Sequence, residues 1–159
     1  MAMIIGVIAD THGILNPKVS RLLSGVELIL HAGDIGDIKV VEGLESIAPV
    51  IAVRGNNDRT GPTSGFCEDR IVELEARRIF LTHEVKFPKR KGKCVPDRYL
   101  NKSLDVVIFG HSHIAFQEWR NEILFFNPGA AGRRRFRTVP SIGLLNISSH
   151  SIEPQIILL

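Results

Sequence analysis

The chain has 159 residues, of which 44% are hydrophobic and 23% are charged, and its formal net charge at pH 7 is +3. A chain of this length can bury roughly 70% of the surface that it exposes when unfolded, which favours a single domain over residues 1–159. The net charge is too small to predict a nucleic-acid partner by itself, and no apolar run approaches the ~20 residues of a membrane span.

The first third of the chain has the pattern of alternating strands and helices. Short apolar runs at 4–9, 27–30 and 50–53 have the length and the β-branched content of buried strands. Strands separated by helices over such a short stretch predict a parallel sheet built from βαβ units.

Two helices are predicted between these strands. Asn16 and Pro17 are typical of a cap and a first helical residue, and Gly25 is typical of a helix end. Asp37 predicts the cap of the second helix, which Pro49 ends.

The rest of the chain predicts antiparallel strands, with one buried strand and one short helix among them. The predicted strands are 70–74, 78–81, 106–109, 115–120, 123–126, 141–147 and 152–158, and the predicted helix is 96–102. Residues 59–69 and the basic segments 86–93 and 132–137 predict loops. A parallel first half and an antiparallel second half indicate an α/β protein with two packed sheets and helices outside.

Five of the predicted strands end in residues that can bind a metal ion. The run 106–109 leads into Gly110, which permits a sharp turn, and then into two histidines one residue apart. If the backbone there is extended, both imidazoles face one pocket. The candidate ligands at the five strand ends are Asp10, His12, Asp34, Asn56, His83, His111 and His113. Because open α/β sheets bind ligands at the carboxyl ends of their strands, we expect these seven donors to converge along one edge.

The chemistry of these donors favours a transition-metal centre. Carboxylate, amide and imidazole ligands together suit Mn, Fe, Zn or Ni. Seven donors exceed the four ligands of one tetrahedral zinc site and suit two ions that share a carboxylate. One polar residue at one strand end is ordinary loop composition, but five strand ends of this composition predict a metal site.

The motifs D-T-H, G-D-I-G, G-N-N-D, T-H-E and G-H-S-H follow one another in an order and spacing that resemble the calcineurin-like metallophosphoesterase family. The likeness is greatest to the small prokaryotic phosphodiesterase branch and spans residues 4–130. It implies a four-layer α/β/β/α sandwich of two mixed sheets, with two metal ions at the carboxyl edge.

The same resemblance divides the ligands between two ions that share one bridging carboxylate, that of Asp34. The other six ligands form two sets of three, which are Asp10, His12 and His113 for one ion and Asn56, His83 and His111 for the other.

The implied function is hydrolysis of a small phosphodiester by direct attack of a hydroxide that bridges the two ions. Mn is the favoured metal, with Fe, Zn or Ni as alternatives. Two divalent ions outweigh two aspartates and one hydroxide, so the site stays positive and suits an anionic diester. The predicted catalytic residues are Asp34, Asn56 and His111, and the predicted substrate contacts are Asn57 and Arg133.

Two residues depart from the family pattern. Asn57 stands where many members have a histidine that protonates the leaving group, and an amide cannot act as a general acid. Glu84 stands where the family usually has glycine. Its carboxylate either hinders an anionic substrate or points into solvent.

Two other functions stay open. One is a protein-binding scaffold with little or no turnover, as in the retromer subunit that shares this fold. The other is nucleic-acid processing, which the segments 86–93 and 132–137 suggest, although charge runs are more often a solvated surface. Cys67 and Cys94 form no C-x-x-C motif, which favours a reducing compartment, and we expect a cytoplasmic location. The sequence does not fix the oligomeric state, and a homo-oligomer is compatible with it.

Overall fold

A computed structural model describes residues 2–87, 96–135 and 137–159. The strands are β1 (Met3–Ile8), β2 (Leu28–His31), β3 (Val50–Ala52), β4 (Asp69–Leu74), β5 (Arg77–Thr82), β6 (Val106–Ile108), β7 (Phe116–Arg120), β8 (Ile123–Asn127), β9 (Ser141–Ile147) and β10 (Ile152–Leu158). The α-helices are α1 (Lys18–Leu22), α2 (Ile38–Glu45) and α3 (Asp97–Leu100), and Asn56–Asp58 and Pro62–Gly65 are short 3₁₀-helices. The longest helix in these ranges has eight residues, so none of the helices described there could cross a membrane.

The strands form two mixed sheets of five strands each. The first has the order β10-β9-β1-β2-β3, in which β1, β2 and β3 are parallel and β9 and β10 are antiparallel. The second has the order β4-β5-β6-β8-β7, in which β5, β6 and β8 are parallel. The predicted α/β class with two mixed sheets is confirmed. The prediction of an antiparallel second half is wrong for β6, which is parallel to both of its neighbours, β5 and β8.

The two sheets pack face to face through alternate residues of their strands. Ile5 and Val7 of β1 lie in the core between the sheets, together with Ile108 of β6. Ile8 points to the opposite face of the first sheet and packs with Val19 of α1. This period of two is the one that the pleat of a strand imposes.

Helices cover both outer faces. Val40, Val41 and Leu44 of α2 are buried against the first sheet, and Tyr99 of α3 packs on the second sheet beside Phe80. The layers are therefore α/β/β/α, as the resemblance implied.

Most predicted boundaries hold within one or two residues. α1 begins at Lys18, one residue after Pro17, and the side chain of Asn16 still accepts a hydrogen bond from Lys18 N at 3.0 Å. Asp37 caps α2 as predicted, with Oδ1 accepting from Lys39 N at 2.9 Å. The predicted loop 59–69 includes one 3₁₀-helix. The predicted basic loop 86–93 lies outside the described residues from residue 88 onward.

Gly143 of β9 lies against the ring of Phe126 in β8, so that the two sheets approach closely there. A Cβ atom added to Gly143 would overlap Cε1 of this fully buried ring. We expect Gly143→Ala to lower the free energy of unfolding by about 1–3 kcal/mol, because the buried ring has to move. Gly65→Ala is the control, since a Cβ at Gly65 meets no atom within 4 Å. Urea denaturation measures both, and equal losses would contradict the close contact.

Candidate metal centre

The seven predicted donors lie together where the carboxyl ends of five strands meet. Those of the first sheet follow β1, β2 and β3 and are Asp10, His12, Asp34 and Asn56. Those of the second sheet follow β5 and β6 and are His83, His111 and His113. The prediction that the donors lie along the edge of one sheet is therefore wrong in detail. They lie between the edges of two sheets.

One group of donors forms around Asp10. Nε2 of His12 and Nε2 of His113 are 3.2 Å apart, and Nε2 of His113 is 3.4 Å from Oδ1 of Asp10. Asp10 is fully buried, and its Oδ2 accepts a hydrogen bond from His111 N at 3.0 Å. Its Oδ1 has no hydrogen-bond partner in the described part of the chain. A buried carboxylate oxygen without a donor, facing two imidazole nitrogens, is an arrangement that a metal ion would complete.

A second group of donors forms around Asn56. Nδ1 of His83 donates to the carbonyl oxygen of Ala32 at 2.8 Å, so in the neutral ring Nε2 carries the lone pair. This Nε2 lies 3.0 Å from Oδ1 of Asn56 and 3.4 Å from Oδ2 of Asp34. Nδ1 of His111 lies 3.1 Å from the same Asn56 oxygen. Nitrogen and oxygen lone pairs brought this close also fit a cation between them.

Asp34 lies between the two groups. Its Oδ2 is 3.4 Å from Nε2 of His83 and 3.8 Å from Nε2 of His12. Donor atoms of Asp10, Asp34 and His83 also lie within 4.8 Å of one another, as do those of Asp10, His12 and His113. This position suits the bridging role that the resemblance implied, while the division of the ligands between two ions stays a prediction.

The two carboxylates differ in their electrostatic environment. Burial raises the pKa of Asp10 to about 7. Burial alone would also raise the pKa of Asp34, but the neighbouring His83, which donates to it when protonated, and the hydrogen bonds from Asn57 hold it well below its ordinary value. Burial lowers the pKa of His12 and that of His113. Burial alone would lower the pKa of His83, but the neighbouring Asp34 carboxylate raises it. Metal binding requires an ionised carboxylate and neutral imidazoles, so the environments of Asp34, His12 and His113 favour it, whereas an ion would have to displace a proton from His83 where this ring is protonated.

Five of the seven donor residues have left-handed backbone conformations. The φ angles lie between 47° and 69° for Asp10, His12, Asp34, His111 and His113. The prediction that rested on an extended backbone at the two histidines after β6 is therefore wrong. Both imidazoles still border one cavity, but one joins the Asp10 group and the other joins the Asn56 group.

Gly110 is required because any side chain at this position would collide with Asp10 and Ala9. A Cβ at this position would lie 2.8 Å from Oδ2 of Asp10 and 2.9 Å from Cβ of Ala9. Its φ is outside the left-handed region, so the predicted sharp turn falls instead on His111.

A wide cavity of about 880 Å³ opens over the donors. His12, Asp34, Asn56, His111 and His113 border it.

Asn57 also borders the wide cavity. Its backbone N–H donates to Oδ1 of Asp34 at 2.9 Å, and its Nδ2 donates to Oδ2 at 2.7 Å. The amide therefore orients Asp34, and its predicted contact with substrate stays a prediction.

Arg135 and Arg137 border the wide cavity, whereas Arg133 does not. Arg133 borders a neighbouring depression, the side cavity, with Arg134 and Arg135. The predicted substrate contact of Arg133 stays a prediction, but Arg135 and Arg137 lie on the wall that the donors share.

Glu84 lies beside the site without bordering the wide cavity. Its Oε1 is 3.7 Å from Nε2 of His111, and its side chain is 43% exposed. It borders a narrow cavity of about 210 Å³, which Asn56 and His83 also line.

The family model of the calcineurin-like phosphoesterase superfamily domain matches residues 3–150. This chain belongs to that superfamily. A probable metallophosphoesterase of Methanothermobacter thermautotrophicus is 36% identical, over 98% of this chain and 92% of that protein. The phosphodiesterase YfcE of Escherichia coli K12 is 32% identical, over 87% of this chain and 84% of that protein. A crystal structure of a Vps29 mutant from Entamoeba histolytica shares the fold, with a TM-score of 0.77, 21% identity and 99% of each chain covered.

This family member also uses a buried carboxylate that sequence reasoning missed. Asp58 is fully buried, and its two oxygens accept hydrogen bonds from the backbone N–H groups of Ile35, Gly36 and Gly55, each at 2.9 Å. It therefore joins the loop after β3 to the loop that carries Asp34. The only sequence signal was its place as the last residue of G-N-N-D.

His31 is a satisfied core histidine behind the site. Gly33 N donates to its Nδ1 at 3.1 Å, so its Nε2 donates to Oγ1 of Thr11 at 2.9 Å. The Thr11 hydroxyl donates in turn to the carbonyl oxygen of Ile35 at 2.9 Å. Burial lowers the pKa of His31 to about 4, so the ring stays neutral near neutral pH. In this state it joins the loop after β1 to the loop after β2.

Asn127 supports the loop of the second sheet. Its Nδ2 donates to the carbonyl oxygen of Gly110 at 2.9 Å and to Oγ of Ser112 at 3.1 Å. Its Oδ1 accepts from Gly129 N at 2.9 Å. This side chain therefore fixes the turn that leads to the two histidines.

The role of Asp58 can be separated from that of the donors. In Asp58→Asn, one acceptor oxygen becomes an NH₂ group that faces backbone N–H groups, so we expect the affinity for Mn²⁺ to fall about 10–100-fold. Asp97→Asn is the control, because Asp97 is exposed in α3 and far from these loops in the sequence. Titration calorimetry with Mn²⁺ measures both affinities. Equal affinities of the two variants would contradict a positioning role for Asp58.

Proposed function

We propose that this chain is a dinuclear-metal phosphodiesterase that hydrolyses small phosphate diesters, with Mn²⁺ as the favoured ion. The observation that carries the proposal is the convergence of seven donors into two groups with one oxygen of Asp34 between them. The name of the Escherichia coli relative supports a diester as the substrate. When bound, the two ions would supply a nucleophilic hydroxide near neutral pH and would stabilise charge on the phosphate oxygens.

The protein residues have three tasks in this reaction. Asp34 holds the two halves of the site together through one carboxylate. Asn56 adds an oxygen ligand without adding a negative charge, so the site stays positive for an anionic diester. His111, with 44% of its side chain exposed, completes the wall that faces the wide cavity.

Asn57 determines which leaving groups the site can handle. Its backbone N–H and one N–H of its side chain are engaged by Asp34, and an amide has no proton to give to a departing oxygen at ordinary pH. The site therefore activates the nucleophile and stabilises the phosphate without protonating the leaving group.

The alternative is a protein-binding scaffold with the same fold. The likeness to Vps29 at 21% identity concerns the fold alone. The seven converging donors support the enzyme, because hydrolysis of a diester makes use of the ions that such donors bind. Metal content of the purified protein, measured together with hydrolysis of an aryl diester, distinguishes the two.

The remaining parts of the proposal rest on the sequence. We place the protein in the cytoplasm, with residues 1–159 as one domain. We propose a small phosphodiester and not a nucleic acid as the substrate, because charge runs such as the two basic segments are more often a solvated surface than a nucleic-acid site.

Asp34→Asn tests the shared carboxylate. Without its charge, two cations would face each other with no anion between them, so we expect metal content to fall from two ions towards one or none and turnover to be lost. Asp37→Asn is the matched control three residues away, since Asn caps a helix as well as Asp does. Elemental analysis and hydrolysis of bis(4-nitrophenyl) phosphate are the measurements. Turnover within twofold of the parent, with two ions retained, would refute the shared role.

The leaving-group dependence tests the role of Asn57. General acid catalysis is worth about 10²–10⁴-fold and matters most for poor leaving groups. We therefore expect a steep fall in rate as the leaving-group pKa rises across a series of aryl and alkyl diesters, with aryl esters strongly preferred.

Glu84 is the alternative proton donor, because its carboxyl group is close to His111. Glu84→Gln should leave the slope of this series unchanged. A shallow slope in the parent that steepens in Glu84→Gln would show that Glu84 is the acid.

A further inference from the structure

Two arginines, Arg135 and Arg137, lie on the wall of the wide cavity. Neither side chain forms an ion pair among the described residues, although Arg135 is close enough to the buried Asp10 carboxyl to oppose the rise in its pKa that burial causes, and both arginines border the same cavity as Asp34. Five described arginines form an ion pair, namely Arg54, Arg77, Arg78, Arg98 and Arg120. No ion pair is formed by Arg21, Arg59, Arg70, Arg133 or Arg134 within the described ranges either, but these five do not border the wide cavity, so Arg135 and Arg137 are set apart by their position.

The positive charge of the proposed centre adds to that of the two arginines on the same cavity. With two divalent ions, two aspartates and one hydroxide, the proposed centre keeps about one positive charge. Arg135 and Arg137 add two more on the wall of the same cavity, which favours an anionic ligand there. A simple diester brings one negative charge and leaves most of this excess unbalanced. A diester that also carries a terminal phosphate brings about three negative charges at neutral pH, which matches it.

The shape of the cavity fits a substrate of that size. A volume of about 880 Å³ lies within the range of small-molecule sites and accommodates a nucleotide-sized ligand. Ile114 also lines it, with 60% of the residue exposed, and offers an apolar surface to a sugar or an aromatic ring. The planar forks of two guanidinium groups suit phosphate oxygens better than lysine does.

From these observations we propose that Arg135 and Arg137 bind a second phosphate group of the substrate. The substrate class is then a small phosphodiester that carries a terminal phosphate on the arm that lies in the wide cavity. This inference rests on the proposed function, since the diester itself lies at the donors.

A matched pair of substrates isolates the second phosphate. Thymidine 5′-(4-nitrophenyl phosphate) and its 3′-phosphorylated form release the same 4-nitrophenolate and differ only in the terminal phosphate. We expect kcat/KM for the phosphorylated form to be about tenfold higher or more, through a lower KM. The preference should shrink as salt rises, because screening shortens electrostatic interactions to about 8 Å at physiological ionic strength.

The variant Arg135→Ala/Arg137→Ala should bring this ratio close to one. The control is Arg70→Ala/Arg134→Ala, which removes the same charge but no residue that borders the wide cavity, and it should keep the ratio of the parent. A ratio near one in the parent, or the same ratio in both double variants, would overturn the proposal.

A measurement of nucleotide binding tests the second phosphate site independently of the proposed hydrolysis. Titration calorimetry on the Mn²⁺-loaded protein compares thymidine 3′,5′-bisphosphate with thymidine 5′-phosphate, and neither measurement depends on turnover. If neither diester is hydrolysed, the proposed function fails. Tighter binding of the bisphosphate by the parent and by the control, but not by Arg135→Ala/Arg137→Ala, would still support the phosphate site. Competition by an unphosphorylated oligonucleotide at lower concentration than the bisphosphate would overturn it in favour of a nucleic-acid surface.

Discussion

The whole site depends on holding nitrogen and oxygen ligand atoms close together, although their lone pairs and negative charges repel one another. Two imidazole nitrogens are 3.2 Å apart, and the two buried carboxylates Asp10 and Asp34 each have a ligand atom within 4.8 Å of His83. Five of the donors also have left-handed backbones, which in non-glycine residues cost of order 1–3 kcal/mol each when the surroundings impose them. Asp and His tolerate this region better than most residues do, so the choice of residue type lowers the cost.

The close approach of the donors is held by side chains that lie beneath the loops. These side chains form hydrogen bonds between neutral groups and, at Asp58, through one buried carboxylate. Asp58 joins the loops after β2 and β3, His31 and Thr11 join those after β1 and β2, and Asn127 holds the loop after β6. Each of these side chains bonds backbone groups and leaves the ligand atoms free to face the cavity. The loops themselves start from strands whose inner residues pack in one core between the sheets. The apolar core therefore sets the distance between the two halves of the site.

The sequence predicted what is local and missed what arises only on folding. Strand runs and the polar residues that follow them are adjacent in the chain, so the seven donors and most boundaries could be read directly. Asp58 could not, because its partners at Ile35 and Gly36 lie more than twenty residues away. The left-handed turn at His111 was missed because an H-x-H spacing says nothing about φ. The basic segment 132–137 was recognised as a charge run, but only the folded loop shows that Arg135 borders the wide cavity and Arg133 does not.

Asn57 affects both the orientation of Asp34 and the proposed reaction. Its two hydrogen bonds engage both oxygens of Asp34 and help to keep that carboxylate ionised, since they lower its pKa against the effect of burial. A histidine there, when protonated, would add a positive charge next to Asp34 and would compete with a metal ion for its oxygens. The neutral amide orients Asp34 without that competition, but it has no proton for a departing oxygen. Under the proposed function, the hydrogen bonds that orient Asp34 would therefore go together with a preference for leaving groups that depart as anions.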